Sequence, residues 1–238
     1  MRARPPLGRA LFLAAATLFA LLALLPLRLA LDWLGFDARG LSARAATGSV
    51  WLGGLNEARF GPVPLGDVGA RLNVLPLLLG RARMSLHRPD EDAPFEAAVT
   101  ITRHGFGIDD ATGRLRAGAL FAPLPVALID FEDVSAGFAS GRCTRAEGRV
   151  RALAAPAVAG LGFGSGLDGV ARCDGDALLL PLAGAGGGER LELRVFADGR
   201  YRAQLAVRPA DPAAAARLAA AGFRPAGSGY AMRIEGAF

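Results

Sequence analysis

The chain of 238 residues contains no lysine, two cysteines and two histidines, and these scarcities remove several kinds of chemistry at the outset. A nucleophilic triad needs a histidine beside a serine or cysteine. Neither His87 nor His104 sits in such a motif; both adjoin arginine in sequence that reads as strand ends or exposed turns. Cys143 and Cys173 lack the CxxC spacing of a redox enzyme, and two cysteines without nearby partners make a poor zinc site. The glycine-rich stretch from Gly160 to Gly166 is followed by no lysine and has no strand–loop–helix frame. It reads as a flexible loop and not as a phosphate cradle. Aromatic residues make up 7% of the chain, are mostly Phe, and do not interleave with arginine as a base-stacking platform would.

Acidic and basic blocks are also missing. All 27 basic residues are arginine, and the net charge is +5, but the arginines lie among acids, as in Arg190 to Glu192 and Arg233 to Glu235. That interleaving describes solvated strand faces, whereas a nucleic-acid footprint needs clustering on one face. The carboxylate pairs Asp109-Asp110 and Glu132-Asp133, and the triplet Asp90-Glu91-Asp92, could bind a hard cation. Each lies in or beside turn-like sequence, where solvated acids are common, so they read as turns. No catalytic constellation, cofactor site or metal site emerges, and the expectation is a protein that is not an enzyme.

Long apolar runs are equally rare, which with 52% hydrophobic and 21% charged residues excludes both a disordered chain and a multi-span membrane protein. The single run present extends from Ala10 to Leu27, eighteen residues without charge. As one helix it would be about 27 Å long, close to the hydrocarbon thickness of a bilayer. Arg2, Arg4 and Arg9 precede it and only Arg28 follows closely, a bias that keeps residues 1–9 in the cytoplasm and sends the rest across the membrane. Arg9 and Arg28 can snorkel to the headgroups, and Trp33 stands where an interfacial aromatic is expected. A cleaved signal peptide is the rival, but the sequence around Leu25 to Arg28 offers no small-x-small cleavage site. The expected organisation is therefore a transmembrane anchor over residues 10–27, a juxtamembrane amphipathic helix over 28–40, and a periplasmic domain over 41–238. In that oxidising compartment Cys143 and Cys173 read most simply as one disulfide, with two separate buried thiols as the alternative.

The body alternates apolar and polar residues in short stretches bounded by Gly, Pro or Asp. Strands are expected at Ser49–Leu52, Leu55–Phe60, Gly66–Leu72, Arg81–His87, Phe95–Thr102, Gly113–Ala119 and Ile129–Phe138. In LELRVFADGRYRAQLAV, from Leu191 to Val207, Asp198-Gly199 between two alternating runs predicts a hairpin. The stretch from Ala154 to Gly169 has little periodicity and reads as a loop or a poorly packed strand. Asp211 to Ala221 predicts a helix, with an N-cap acid, proline at its first position and Gly222 as its stop. Tyr230 to Phe238 alternates again as a closing strand. Trp51 is either a core anchor or a half-exposed strand aromatic. The fold expected is mainly β: a curved antiparallel sheet, as a groove, sandwich or incomplete barrel, with one short C-terminal helix behind the transmembrane helix.

Taken in order, the segment from Pro26 to Leu86, and within it GSVWLGGLNEARFGPVPLGD from Gly48 to Asp67, resembles the start of type II secretion system protein N, also called general secretion pathway protein N. Gly141-Arg142-Cys143, Ala146-Glu147-Gly148, Cys173-Asp174-Gly175 before Leu178-Leu179-Leu180, the DGRY turn from Asp198 to Tyr201, and Ala220 to Phe223 extend the likeness toward the C-terminus. The resemblance implies a bitopic inner-membrane accessory subunit of the machine that exports folded proteins through an outer-membrane secretin. It also implies no enzymatic activity, and contacts with inner-membrane protein C and the secretin as partners. The alternative it leaves is a groove-forming envelope protein that binds or transfers lipid.

Overall fold

The computed structural model describes residues 7–34, 41–61, 63–90, 93–117, 120–154 and 166–238. Alternation in the sequence becomes strands whose apolar side chains share one face. Along the strand Arg200–Val207, Tyr201, Ala203, Leu205 and Val207 are buried while the residues between them face outward. Its hairpin partner Glu189–Phe196 turns inward Leu191 and Leu193, and Asp198-Gly199 makes the connection as expected. Gly199 has φ +81, and the Asp198 carboxylate accepts from the Arg200 amide at 3.1 Å.

In chain order the helices are α1 (Leu7–Ala23), α2 (Leu27–Leu34), α3 (Val74–Leu78) and α4 (Pro212–Ala220). The strands of the first half are β1 (Leu41–Ser42), β2 (Ala45–Ser49), β3 (Leu52–Phe60), β4 (Val63–Asn73), β5 (Ala82–Arg88), β6 (Phe95–Ile101), β7 (Gly105–Arg116), β8 (Val126–Ala139) and β9 (Arg142–Ala154). Those of the second are β10 (Leu167–Val170), β11 (Arg172–Asp174), β12 (Ala177–Gly184), β13 (Glu189–Phe196), β14 (Arg200–Val207), β15 (Arg224–Ala226) and β16 (Gly229–Ala237). Among the described residues all sixteen strands form one antiparallel sheet, a meander from β3 to β10 continuing through β12, β13, β14 and β16 to β15. Short β1 and β2 flank β3, and β11 flanks β12.

The sheet is open, with β1 and β15 as unjoined ends, but it curls until its ends touch. Gly61, in the β3–β4 turn at φ +54, lies against the C-terminal residue: a Cβ there would stand 2.6 Å from the Phe238 carbonyl carbon. Of the forms left open by sequence, this is a curved open sheet whose ends touch at Gly61 and Phe238, with no strand pairing between them among the described residues. Its inner face is filled by the chain itself. The β7–β8 connection folds inward, burying Leu120, Phe121 and Leu124. The Tyr201 hydroxyl donates to the Leu120 carbonyl, and the Phe121 and Tyr201 rings meet edge to face at 5.4 Å. Helix α4 covers the same core with Ala214 and Leu218, capped as expected by Asp211, whose carboxylate accepts from the Ala214 amide at 2.6 Å.

Several expected elements change place. The apolar run 10–27 is not one helix: α1 ends at Ala23, and α2 starts at Leu27. Pro26 is the reason, because it disfavours helical backbone at Leu25 and supplies no amide. The freed residues join the sheet domain. The Leu25 carbonyl accepts from the Val50 amide at 3.0 Å, Pro26 bridges to Ser49, and Leu27 is buried at 1% exposure against Val50, Leu55, Ala58 and Val68. No helix among the described residues is long and apolar enough to cross a membrane by itself; α1 has 17 residues. The expected helix 28–40 is the shorter α2, and residues 35–40 lie outside those described. Ser49–Leu52 is the β2–β3 turn and not a strand, and the strand expected at Gly113–Ala119 is the end of the longer β7, residues 118 and 119 being outside those described.

Candidate functional site

The junction between α1 and the sheet is built from the residues that end the apolar run. A helix end leaves carbonyls without intrahelical donors. Here the Trp51 indole donates to the Leu22 carbonyl at 2.8 Å, so the β2–β3 turn caps α1. Trp51 is half-buried against the cluster of Leu27, Val50, Leu55, Ala58 and Val68, which makes it both of the things its sequence context allowed. The Val50 carbonyl in turn accepts from Leu72 of β4 at 3.1 Å. Two hydrogen bonds thus tie the end of the apolar segment to the β2–β3 turn, and a third ties that turn to β4.

Beside this junction a shallow cleft of about 200 Å³ runs between α2 and β1–β3, lined by Arg28, Leu31, Asp32, Leu41, Arg44 and Leu55 among others. Its charged rim and small volume leave little room for an acyl chain. Of the interface residues expected from sequence, Arg9 is exposed on α1 and Arg28 on the first turn of α2; the side chain of Trp33 lies outside those described. Beyond Arg9, helix α1 exposes large apolar side chains, with Leu11, Phe12, Leu18 and Phe19 between 60% and 73% exposed.

Cys143 of β9 and Cys173 of β11 form the expected disulfide, with sulfurs 2.00 Å apart and Cα atoms 5.5 Å apart. It joins β9 to β11 beside the short strand β10, whose four residues pair with β9 among the described residues.

The groups considered for catalysis do not assemble. Exposed His87 lies on β5 and exposed His104 in the β6–β7 turn, and among the described residues no three His, Cys, Asp or Glu side chains gather as metal ligands. Asp109 and Asp110 are not in a turn; they occupy β7 at a bulge. Asp109 meets Arg83 at 3.3 Å and pairs also with Arg145, while Thr100 donates to it at 2.7 Å. Glu132 and Asp133 likewise sit at a bulge, of β8, facing Arg149 and Thr112. Each acid is matched by arginine or threonine across the strands, which accounts for it without a cation. Of the triplet, Glu91 and Asp92 lie outside the described residues, as do residues 160–165 of the glycine-rich stretch.

Sequence reasoning missed Arg88, at the end of β5. Its guanidinium is buried and donates to the carbonyls of Leu65 at 3.0 Å, Ala93 at 2.8 Å and Arg114, joining β4 and β7 through one side chain. Burial draws it below its ordinary value, Asp90 opposing and Arg116 adding to the effect. The signal available was a lone arginine in an alternating strand, which does not distinguish a peg from a solvated charge.

Two sheet margins have no neighbouring strand among the described residues. Along β16, β14 pairs Tyr230 to Ala237 on one side, whereas on the other β15 pairs only Gly229 to Ala231. Met232 to Ala237 therefore present an edge without a strand among the described residues, and β1 with β2 form the opposite margin. Such edges recognise extended chain through the backbone alone.

No curated protein and no solved structure matches the chain. The family model for the type II secretion system, protein N, does, over residues 39–233, which takes in the strands from β1 to the middle of β16, the disulfide and α4. That match covers most of the chain, and the protein belongs to the type II secretion system protein N family.

Proposed function

We propose that the protein is an accessory inner-membrane subunit of the type II secretion machine. Helix α1 holds it in the membrane with the N-terminus cytoplasmic, and it acts in the periplasm by protein–protein contacts, with inner-membrane protein C and the secretin as partners. The observation that carries the reading is α1 itself, which beyond Arg9 exposes large apolar side chains and leads without a free linker into the sheet of a family that serves secretion. Its 17 residues include Arg9, so the uncharged stretch from Ala10 to Ala23 is shorter than the roughly 17 to 25 residues that span a bilayer. Snorkelling of Arg9 and local thinning accommodate a short span at a modest cost per ångström. The arginines before α1 set the orientation, and the disulfide suits an oxidising compartment. The reading assigns no catalytic residue, cofactor or metal.

Contacts with partners use the strand margins, Met232 to Ala237 above all, because extended chain can complete them. The lipid-groove alternative has less support, since Leu120, Phe121 and Leu124 occupy the inner face where acyl chains would lie. Crosslinking the protein in its own cells, followed by mass spectrometry of everything trapped, tests both. Secretion subunits in the trapped set are the expected result. Lipid without any of them would overturn the scaffold reading in favour of the groove.

A further inference from the structure

The β4–β5 connection holds a short helix that the core does not use. None of the residues of α3 is buried, and Val74, Leu75, Leu78 and Leu79 are 55% to 78% exposed. Loops on soluble surfaces are ordinarily polar, and a contiguous apolar tip marks a place where something other than water sits. Its position narrows the choice. Helix α3 follows Leu72 and Asn73, and the Leu72 amide is bonded to the Val50 carbonyl in the same turn that caps α1 through Trp51 and holds Leu25. The apolar tip and the end of the apolar helix therefore leave the sheet at one end, linked by consecutive hydrogen bonds.

The neighbouring β6–β7 turn is at that end too, since Asn73 pairs with Arg83, Ala82 with Ile101, and Ile101 with Phe106. Ile101 and Phe106 are exposed at 38% and 45%, and Arg81 and Arg103 stand exposed beside them. Leucines at a tip with arginines at its base have the pattern of a segment lying in a membrane interface, apolar part among the acyl chains and guanidinium groups at lipid phosphates.

We propose that α3 is a second membrane contact. It enters the interfacial zone of the bilayer that α1 crosses, Arg81 and Arg103 meet anionic phospholipid headgroups, and the two contacts together fix the sheet's orientation to the membrane. This rests on the reading of α1 as the anchor.

The test uses the full chain with single cysteines at Leu78→Cys in α3, Leu18→Cys in α1 and Gly186→Cys. Gly186 lies in the β12–β13 turn, at the end of β12 away from the disulfide, and is open on all sides. Both native cysteines are in the disulfide, so each variant takes one nitrobenzoxadiazole label. The labelled proteins are reconstituted into vesicles of phosphatidylethanolamine with phosphatidylglycerol. Nitroxide-bearing lipid should quench the label at positions 18 and 78 and shift its emission to the blue, while aqueous iodide quenches only the label at 186. Quenching by lipid at 18 with position 78 open to iodide would overturn the second contact and leave the anchor standing. No quenching by lipid at 18 would overturn the anchor, and the second contact with it.

Discussion

Tyr201 gathers distant parts of the fold onto one side chain. Its ring lies between Phe121 and Phe238, and its hydroxyl reaches the Leu120 carbonyl of the inward-folded connection. Burial pushes its phenol above the ordinary range. A folded-state value raised above the unfolded one means that the folded protein holds this proton more tightly. The stabilisation is complete below the unfolded value, about 10, and is lost as the pH rises through the raised folded value. The chain suits a measurement of this, because it has no lysine and no free cysteine to titrate in the same window. Tyr201→Phe should cost about 1 kcal/mol near neutrality, by leaving the Leu120 carbonyl without its donor. Denaturant midpoints of the two proteins should then converge as the pH rises above about 10, since only the parent loses the phenol's contribution. A constant gap across that range would mean that ionisation of Tyr201 is not linked to folding.

Among elements, the disulfide and the short strand β10 beside it decide how the halves of the sheet hold together. Closing a loop of thirty residues constrains the unfolded chain by about 3 to 4 kcal/mol in the loop-entropy treatment. The double variant Cys143→Ser, Cys173→Ser should lose stability on that order, and reduction of the parent by dithiothreitol should lower its unfolding midpoint to match. A midpoint indifferent to dithiothreitol would show that β10 alone suffices. Elements with strong local chemistry were legible in advance: the Asp198-Gly199 hairpin, the helix begun by Asp211-Pro212, the closing strand and the cysteine pair all stand where the residues indicated. Elements set by distant contacts were not. The acids of β7 and β8 read as turns because their bulges exist only opposite partner strands, where Asp110 and Asp133 take φ values of 54 and 50. The apolar run reads as one helix because hydropathy weighs neither the break at Pro26 nor the partners that Leu25 and Leu27 find in Val50 and Leu55. Of the candidate site, the apolar segment was visible, whereas the edge of β16 and the exposed tip at α3 required the topology.

At the scale of the whole molecule, the curl of the sheet brings the β3–β4 turn against the C-terminus, residues far apart in sequence and, among the described residues, unjoined by any strand pair. If this meeting carries energy, it closes the inner face around Tyr201 and resists any entry of lipid from that side. Substitution at Gly61 tests it. Alanine there meets two penalties: a left-handed backbone at φ +54, worth about 1 to 2 kcal/mol, and a Cβ 2.6 Å from the Phe238 carbonyl carbon. The first persists whatever the C-terminus does, and the second vanishes when the chain ends at Ala237. A cycle of four proteins, with and without Gly61→Ala and with and without Phe238, separates them through unfolding midpoints. We expect Gly61→Ala to cost less in the shortened chain, with a coupling of about 0.5 to 3 kcal/mol, as residues in contact show. Strict additivity would mean that the two ends of the sheet do not meet in solution. The sheet would then stand open on that side, although Leu120, Phe121 and Leu124 would still fill its inner face.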